Sequence, residues 1–467
     1  MGHLLANTED PIEEAGSSQT AGVLVFVLRY EDLRAADSGV LPPLTQDGDG
    51  FEIGRAPEVR PPAFEETRFL LPDRFVSRLH ARVVRRGGRD LLEDAGSRLG
   101  TFVRGERIHA PVPLADGDLV EIGQSLFVYR IVDATSAVRM IRGGLTFGPT
   151  RSLCPEIMRL ALDLGQLART VEPILLLAET GAGKEIAARY VHEKSGRAGP
   201  FVAIDCGAIP EHLVEGELFG HRRGAFSGAH EERKGRIRSA EGGTVFLDEI
   251  GNLPGSAQAS LLRAIQEREV TPVGADQGQK VDVRWIAATN ADVFSETSGF
   301  RADLRARLAG YVAELPPLRE RREDLGFLVA HLLGRAGAER ASITPTAARA
   351  LFGGDLPGNV RELERALGTA VVLMGDGPID LPHLSALRAR TAREKKAPSV
   401  EPPVPEASDE ERRNKKRPPK ETIEAALFRS KGSQGEAARQ LGVHERQLAR
   451  WMDALGIPRL RKGSAGG

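Results

Sequence analysis

The chain has 467 residues, 41% of them hydrophobic, with 64 Lys/Arg against 65 Asp/Glu and a net charge of −1. That length corresponds to about three domains of ordinary size, the apolar fraction suffices for packed cores, and near-neutrality excludes a chain-wide basic field for nucleic acid. Two cysteines, Cys154 and Cys206, exclude a disulfide framework or a Cys-rich metal site, and the lack of any apolar run near 18 residues argues against a membrane span.

In chain order, residues 1–21 come first, and the initial 20 hold acidic residues but no Lys or Arg, unlike a secretory signal. They are expected as a disordered tail of a cytoplasmic protein. Residues 22–133 alternate apolar and polar positions in short runs separated by Gly, Pro and Asp, the pattern of an all-β sandwich. Within it stand Gly54-Arg55, Ser77-Arg-Leu-His80 and Ser97-Arg-Leu-Gly-Thr101. Arg offers a charged fork to a phosphate and Ser adds a hydroxyl donor, so Arg55 and Ser77 are candidate anion contacts. Residues 134–144 read as a linker.

Residues 145–389 alternate buried strands with amphipathic helices, an α/β pattern with a parallel sheet. The apolar run 174–177 leads into Ala178-Glu-Thr-Gly-Ala-Gly-Lys-Glu185 and then a helical pattern. In that strand–loop–helix context the backbone N–H groups of Glu179, Thr180, Gly181, Ala182, Gly183, Lys184 and Glu185 can cradle phosphate, with Lys184 reaching its outer end. Thr244-Val-Phe-Leu-Asp-Glu249 ends a second buried run in a carboxylate pair able to hold Mg²⁺ and polarise water. Residues 390–419, rich in Pro, Glu, Lys and Arg, read as a disordered linker. From Glu411 onward 14 Lys/Arg face 6 Asp/Glu, a local net of +8 that implies nucleic-acid contact. Residues 420–460 hold helical periodicity broken at Gly442; Ala437, Ala438, Leu441, Val443, Leu448 and Trp451 point inward, leaving His444, Glu445, Arg446, Gln447 and Arg450 for DNA.

Between the two nucleotide motifs lies Glu217-Leu-Phe-Gly-His-Arg-Arg-Gly-Ala-Phe-Ser-Gly-Ala229. This segment resembles the signature loop of the bacterial enhancer-binding proteins, the AAA+ activators of sigma-54 RNA polymerase. The three architectural parts then resemble a forkhead-associated (FHA) domain, an AAA+ P-loop NTPase with helical lid, and a Fis-type helix-turn-helix. The resemblance implies ATP and Mg²⁺ as cofactors, with Asp248 organising the metal and Glu249 the attacking water. It implies that Asn290, ending Trp285-Ile-Ala-Ala-Thr-Asn290, lies near the γ-phosphate. Arg301 and Arg307, in the segment 300–308, would reach the nucleotide of a neighbouring subunit, and Arg361, in the segment 356–363, would contact the bound nucleotide as sensor II. Gly224, Ala225, Phe226, Ser227, Gly228 and Ala229 would touch sigma-54.

The implied partners are sigma-54 RNA polymerase, enhancer DNA, a phosphothreonine protein at Arg55 and Ser77, and further copies of the chain, from dimer to hexameric ring; no membrane is implied. His80 would shape its loop rather than bind ligand. The sequence departs from the family at five places. Ala178 replaces the first loop glycine and would be strained if its φ were positive. Asp205 stands where an Asn usually switches the catalytic Glu, and would repel Glu249 unless one of the pair is protonated. Ser227 replaces Thr. Leu99 and Arg104 replace two Asn of the phosphopeptide loops, and Leu99 cannot hydrogen-bond a peptide backbone. An activator therefore stands beside an alternative, a DNA-binding regulator or scaffold with a weakened ATPase.

Overall fold

The computed structural model describes residues 20–33, 39–57, 62–65, 67–225, 230–384, 418–430, 434–441, 443 and 445–457. The chain divides into two units, Met1–Arg390 and Thr391–Gly467.

The first unit opens with two six-stranded sheets packed face to face. One has Thr20–Arg29 and Ser125–Asp133 at its centre, paired antiparallel; the other centres on Ala81–Arg86 and Gly50–Arg55. Alternate side chains meet between the sheets, where Phe26, Phe69 and Phe127 make edge-on and tilted contacts with ring centroids 5.3–6.2 Å apart. The strand Thr20–Arg29 does not alternate in burial: seven consecutive residues are buried. Both of its faces are covered, which an isolated sandwich would not achieve.

Two elements cover the outer face. Residues 134–144, expected as a linker, contain the helix Ala134–Ile141, started by Asp133, whose carboxylate accepts from the Ser136 amide at 2.9 Å. Its Ala137 and Met140 pack on Val23, Val25 and Val132. The second cover is the helical lid, Leu325–Arg335, Pro345–Phe352 and Asn359–Leu373. Val27, Leu28, Tyr30, Leu33, Leu126 and Val128 of the sandwich share one core with these helices. Burying such side chains is worth on the order of 1.5–3 kcal/mol each, so the sandwich and the lid form a substantial joint core.

The central sheet is fully parallel, in the order Phe201–Asp205, Thr244–Asp248, Arg284–Thr289, Ile174–Leu177, Tyr311–Glu314. Apolar helix faces cover both sides. Its strands are nearly continuous apolar runs for that reason, and their carboxyl ends open at one edge, where loops gather. Among its described residues the second unit has three helices, Lys420–Arg429, Gln434–Leu441 and Glu445–Ala454, around Ile423, Ala426, Ala437, Ala438, Leu448 and Met452.

Candidate nucleotide site, phosphate cleft and DNA-binding unit

The strand Ile174–Leu177 delivers the loop 178–183 to the N-terminus of the helix Lys184–Ser195. Gly181 (φ 77°) and Gly183 (φ 112°) hold left-handed conformations that aim successive backbone N–H groups into one concavity. A Cβ on Gly181 would strike the Gly358 carbonyl oxygen and lie 3.0 Å from the Arg361 Cβ. The glycine is needed because the lid rests directly on the loop. Ala178 is absent from the described non-glycine residues with positive φ, so the strain considered for it does not arise.

Lys184 is only 6% exposed. Its Nζ lies 2.6 Å from Glu249 Oε1 and 3.4 Å from Asp248 Oδ1. Asp248 ends its strand, and Glu249 follows at φ 51°, a left-handed turn that brings its carboxylate back over the loop. Burial raises the Asp248 carboxyl above the ordinary carboxylate range, and the Lys184 ammonium opposes that shift. Asn290 reaches in from the end of Arg284–Thr289, its Nδ2 donating to Thr180 Oγ1 at 3.2 Å. Thr180, Lys184, Asp248, Glu249 and Asn290 thus converge. The Gly-rich concavity, a buried ammonium and a carboxylate pair fit a nucleoside triphosphate with its Mg²⁺.

Three expected residues sit apart from this convergence. Glu185 pairs outward with Arg189 at 2.7 Å. Arg301 and Arg307 are exposed at the start and the last turn of the helix Ala302–Leu308, Arg301 pairing with Asp303 at 2.7 Å. Among the described residues neither has a polar contact with the loop of its own chain.

Asp205 ends the strand Phe201–Asp205 beside Asp248. Its Oδ1 accepts from the Gly207 and Ala208 amides at 3.0 and 3.2 Å, while Glu249 is held by Lys184. Each carboxylate has donors of its own. Beside them Cys206 is buried, and its thiol is pushed up to about 12 by burial and then by Asp205, Asp248 and Glu249.

The segment from 217 leaves the helix Val214–Phe219 through Gly220 (φ 85°). Buried His221 pairs with the backbone of Arg233 and Val273, and Arg222 and Ala225 close a turn at Gly224. Phe226, Ser227, Gly228 and Ala229 lie outside the described residues.

In the sandwich, Arg55 ends its strand and its amide donates to the Ser77 carbonyl at 3.0 Å. Arg55, Arg74, Ser77, Arg78, Arg98 and Leu99 line one cleft. The Arg98 amide donates to Ser77 Oγ at 3.2 Å, which orients the hydroxyl. His80 is fully buried; its Nδ1 accepts from the Ser77 amide at 3.0 Å and its Nε2 faces the Gly100 carbonyl at 3.2 Å. Those partners fix the proton on Nε2 and make His80 the support of the loop, as expected. Arg104 lies at φ 53°, a conformation an Asn tolerates better, and is held by a two-point pair with Asp118 at 2.6 Å.

In the second unit the inward positions read from the sequence are buried or half-buried, joined by Ile423, Ala426 and Met452. Arg450 is exposed. His444 lies outside the described residues, as do the side chains of Glu445, Arg446 and Gln447.

Comparison with known proteins matches four segments of the chain. The sigma-54 interaction domain matches residues 153–313, the FHA domain 51–123, the AAA+ ATPase lid domain 319–400, and the Fis-family bacterial regulatory protein 420–455. The Nif-specific regulatory protein of Azotobacter vinelandii is 41% identical over 311 residues, 65% of this chain and 58% of its own length. The response regulator protein PilR of Pseudomonas aeruginosa is 39% identical over 313 residues, 65% of this chain and 68% of its own. The chain belongs to the sigma-54 activator family. It spans only 58% of the length of the first of these relatives. Among solved structures, NtrX from Brucella abortus in complex with ATP aligns at 29% identity over 68% of this chain and 70% of that one, with a TM-score of 0.46.

Around the loop of this sigma-54 activator-family chain stand further residues to which the sequence alone assigns no role. Arg319 grips the loop residue Glu179 with two nitrogens at 2.9 and 2.8 Å and holds its carboxyl below the usual range. Buried Arg321 donates to the Ala182 carbonyl at 2.6 Å. Asn359, 0% exposed and at φ 53°, donates to Glu179 and to the Thr180 carbonyl, both at 3.1 Å, and accepts from the Leu318 amide at 2.7 Å. The sequence signal was present, two arginines after Pro316-Pro317 and an Asn after Pro357-Gly358, but it identifies no partner. Arg361, the residue singled out there, is exposed on the first turn of its helix beside Gly181.

Proposed function

We propose that this activator-family chain binds ATP at residues 179–185, hydrolyses it in a homo-oligomeric ring, and uses that turnover to remodel sigma-54 RNA polymerase at promoters. The observation that carries the reading is Lys184, buried between a phosphate-type loop and the pair Asp248–Glu249. In this reading Lys184 binds the outer phosphates, Glu249 orients the water and accepts its proton, and Asn290 fixes the position of both through Thr180. Mg²⁺ would be held by Asp248 and would supply charge neutralisation on the phosphates. Arg301 and Arg307, exposed on their own chain, serve the nucleotide of a neighbour, so turnover depends on assembly. Residues 224–229, with Phe226 at their centre, contact sigma-54. The helix Glu445–Ala454, with His444, Glu445, Arg446, Gln447 and Arg450, reads enhancer DNA, and the cleft at Arg55 and Ser77 admits a phosphothreonine protein as the input.

The test is single-round transcription by sigma-54 RNA polymerase on a supercoiled enhancer–promoter template, comparing wild type with Phe226→Ala. Open complexes that need ATP and vanish in the variant support the reading. The alternative, a scaffold with weakened ATPase, is favoured by Asp205 standing in the place of Asn. It predicts little turnover at any protein concentration, with or without DNA.

A further inference from the structure

Two sets of contacts meet on one short stretch of the sandwich, residues 29–33. From one side the lid holds it. The Tyr30 carbonyl accepts from the Ile343 amide at 2.7 Å, and the Leu33 amide donates to the Ala341 carbonyl at 3.3 Å. Tyr30 is 1% exposed within the joint core. Its hydroxyl bonds Glu121, which also pairs with Arg349 of the lid at 2.9 Å.

From the other side the phosphate cleft holds the same stretch. Arg29 donates to the Pro72 carbonyl at 3.0 Å, and Glu31 pairs with Arg74 at 2.7 Å. Glu31 lines a cavity together with Arg55, Arg68, Arg74 and Arg78 and the carboxylates of Glu65 and Asp73. That cavity shares Arg55, Arg74 and Arg78 with the cleft at Ser77 and Arg98, and the shared Arg74 is the ion-pair partner of Glu31.

The lid contacts continue toward the nucleotide loop. Arg130 of the sandwich pairs with fully buried Glu323 and donates to the Glu320 carbonyl at 3.1 Å. Burial raises the Glu323 carboxyl, and the Arg130 guanidinium opposes that shift. Glu320 lies between Arg319 and Arg321, the two arginines that grip Glu179 and the Ala182 carbonyl, and Glu323 follows two residues later. The sandwich thus touches the segment that fixes the lid on the loop.

We propose that Glu31 is a resident carboxylate of the phosphate cleft, and that a phosphoryl group entering the cleft displaces it from Arg74 and loosens the sandwich from the lid. This rests on the phosphate-binding reading of the cleft. A phosphoryl group carries about −1.5 to −2 charges, more than one carboxylate, so it wins Arg74 and repels Glu31. Freed of that tether, the turn at residues 29–33 relaxes its two backbone hydrogen bonds to the lid. The lid then lifts more readily from Gly181, and nucleotide exchanges faster. The pair is partly exposed, 75% at Arg74 and 33% at Glu31, which limits the coupling to about twofold to fivefold. Glu31 tunes the lid and does not act as an all-or-none switch.

Hydrogen exchange at the Leu33 and Ile343 amides of the full chain reads the two bonds directly, and release of a fluorescent ADP analogue reads the lid. Glu31→Gln, a surface change that preserves folding, is expected to speed both by about twofold to fivefold with no ligand present. In the wild type, N-acetyl-phosphothreonine amide is expected to produce the same acceleration, and in Arg55→Ala that response is lost while Glu31→Gln still acts. Unchanged exchange and unchanged ADP release in Glu31→Gln overturn the proposal. A response to Glu31→Gln together with no binding of the phosphothreonine probe by any form overturns the phosphate reading of the cleft and leaves only the tether.

Discussion

The chain holds two sites suited to phosphate, and they are built on opposite principles. The nucleotide site takes its shape from backbone: left-handed Gly181 and Gly183, one helix N-terminus, and a single ammonium buried to 6% exposure between carboxylates. The sandwich cleft takes its shape from side chains, Arg55, Arg74, Arg78 and Arg98, exposed around a loop that buried His80 holds in place. A backbone cradle tolerates little change, whereas a ring of exposed guanidinium groups can lose or exchange a member. The family departures follow that division. The nucleotide loop absorbs Ala178 without positive φ, while the cleft carries Leu99 where the family resemblance implies an Asn, and Arg104, the other such position, turns away to pair with Asp118.

The sharpest way to separate the two sites is Lys184→Ala. It removes the one charge shared by the loop, Asp248 and Glu249. ATP turnover at saturating protein is expected to fall about a thousandfold, while the sandwich cleft, which shares no residue with the site, keeps its affinity for phosphothreonine peptides. Steady-state phosphate release and fluorescence anisotropy read the two sites in one preparation. An equal loss at both would mean that they are not separate.

Next comes Asn359→Ala. The change places Ala at φ 53° and leaves the buried Leu318 amide without its acceptor. Each fault costs about 1–3 kcal/mol, so the lid is expected to lose about 2–6 kcal/mol of local stability. Hydrogen exchange along Asn359–Leu373 would show it, with nucleotide affinity falling in parallel. Strands on the far side of the sandwich, such as Ala81–Arg86, should stay protected.

What was legible in the sequence follows from how local each feature is. The nucleotide loop, the carboxylate pair and Asn290 each sit at the end of one buried strand, so spacing along the chain was enough to find them. Arg319, Arg321 and Asn359 act at the same loop from the lid, 139 to 180 positions away along the chain, and nothing local marks their partners. The docking of the sandwich on the lid was hidden for a related reason. In the strand Thr20–Arg29, Val27 and Leu28 read as ordinary sandwich core. Only the run of seven buried positions, continuous where a one-sided strand would alternate, hints that a second layer lies outside. The helix Ala134–Ile141 reads as linker in the sequence because eight residues give too little periodicity to separate from a loop.

Leu99→Asn probes the tolerance of the cleft. Leu99 is 42% exposed beside Ser77 and Arg98, so the change costs no core packing. An Asn there can bond a peptide backbone, a gain of about 1 kcal/mol or roughly fivefold in affinity for a phosphothreonine peptide. Isothermal titration measures it; an unchanged affinity would show that the peptide does not pass over this loop.

The smallest effect is expected from acid acting on His80. Burial lowers its pKa, and the Gly100 carbonyl offsets this only in part. Its Nδ1 must stay unprotonated to accept from the Ser77 amide. A histidine with a lowered folded pKa binds fewer protons folded than unfolded. Its contribution is therefore complete above the unfolded value of about 6.5 and is lost as pH falls toward the folded one. Between about pH 7.5 and pH 5.5, local protection of the strand Ala81–Arg86, corrected for intrinsic exchange, should decline as pH drops. In His80→Gln that slope should vanish, because Gln keeps an acceptor for Ser77 without a titrating ring. A phosphothreonine peptide itself takes up a proton at about pH 6, so the comparison of wild type with His80→Gln carries the test: across mild acid the wild-type cleft should lose more peptide affinity than His80→Gln, by the part that belongs to the Ser77 loop losing its support.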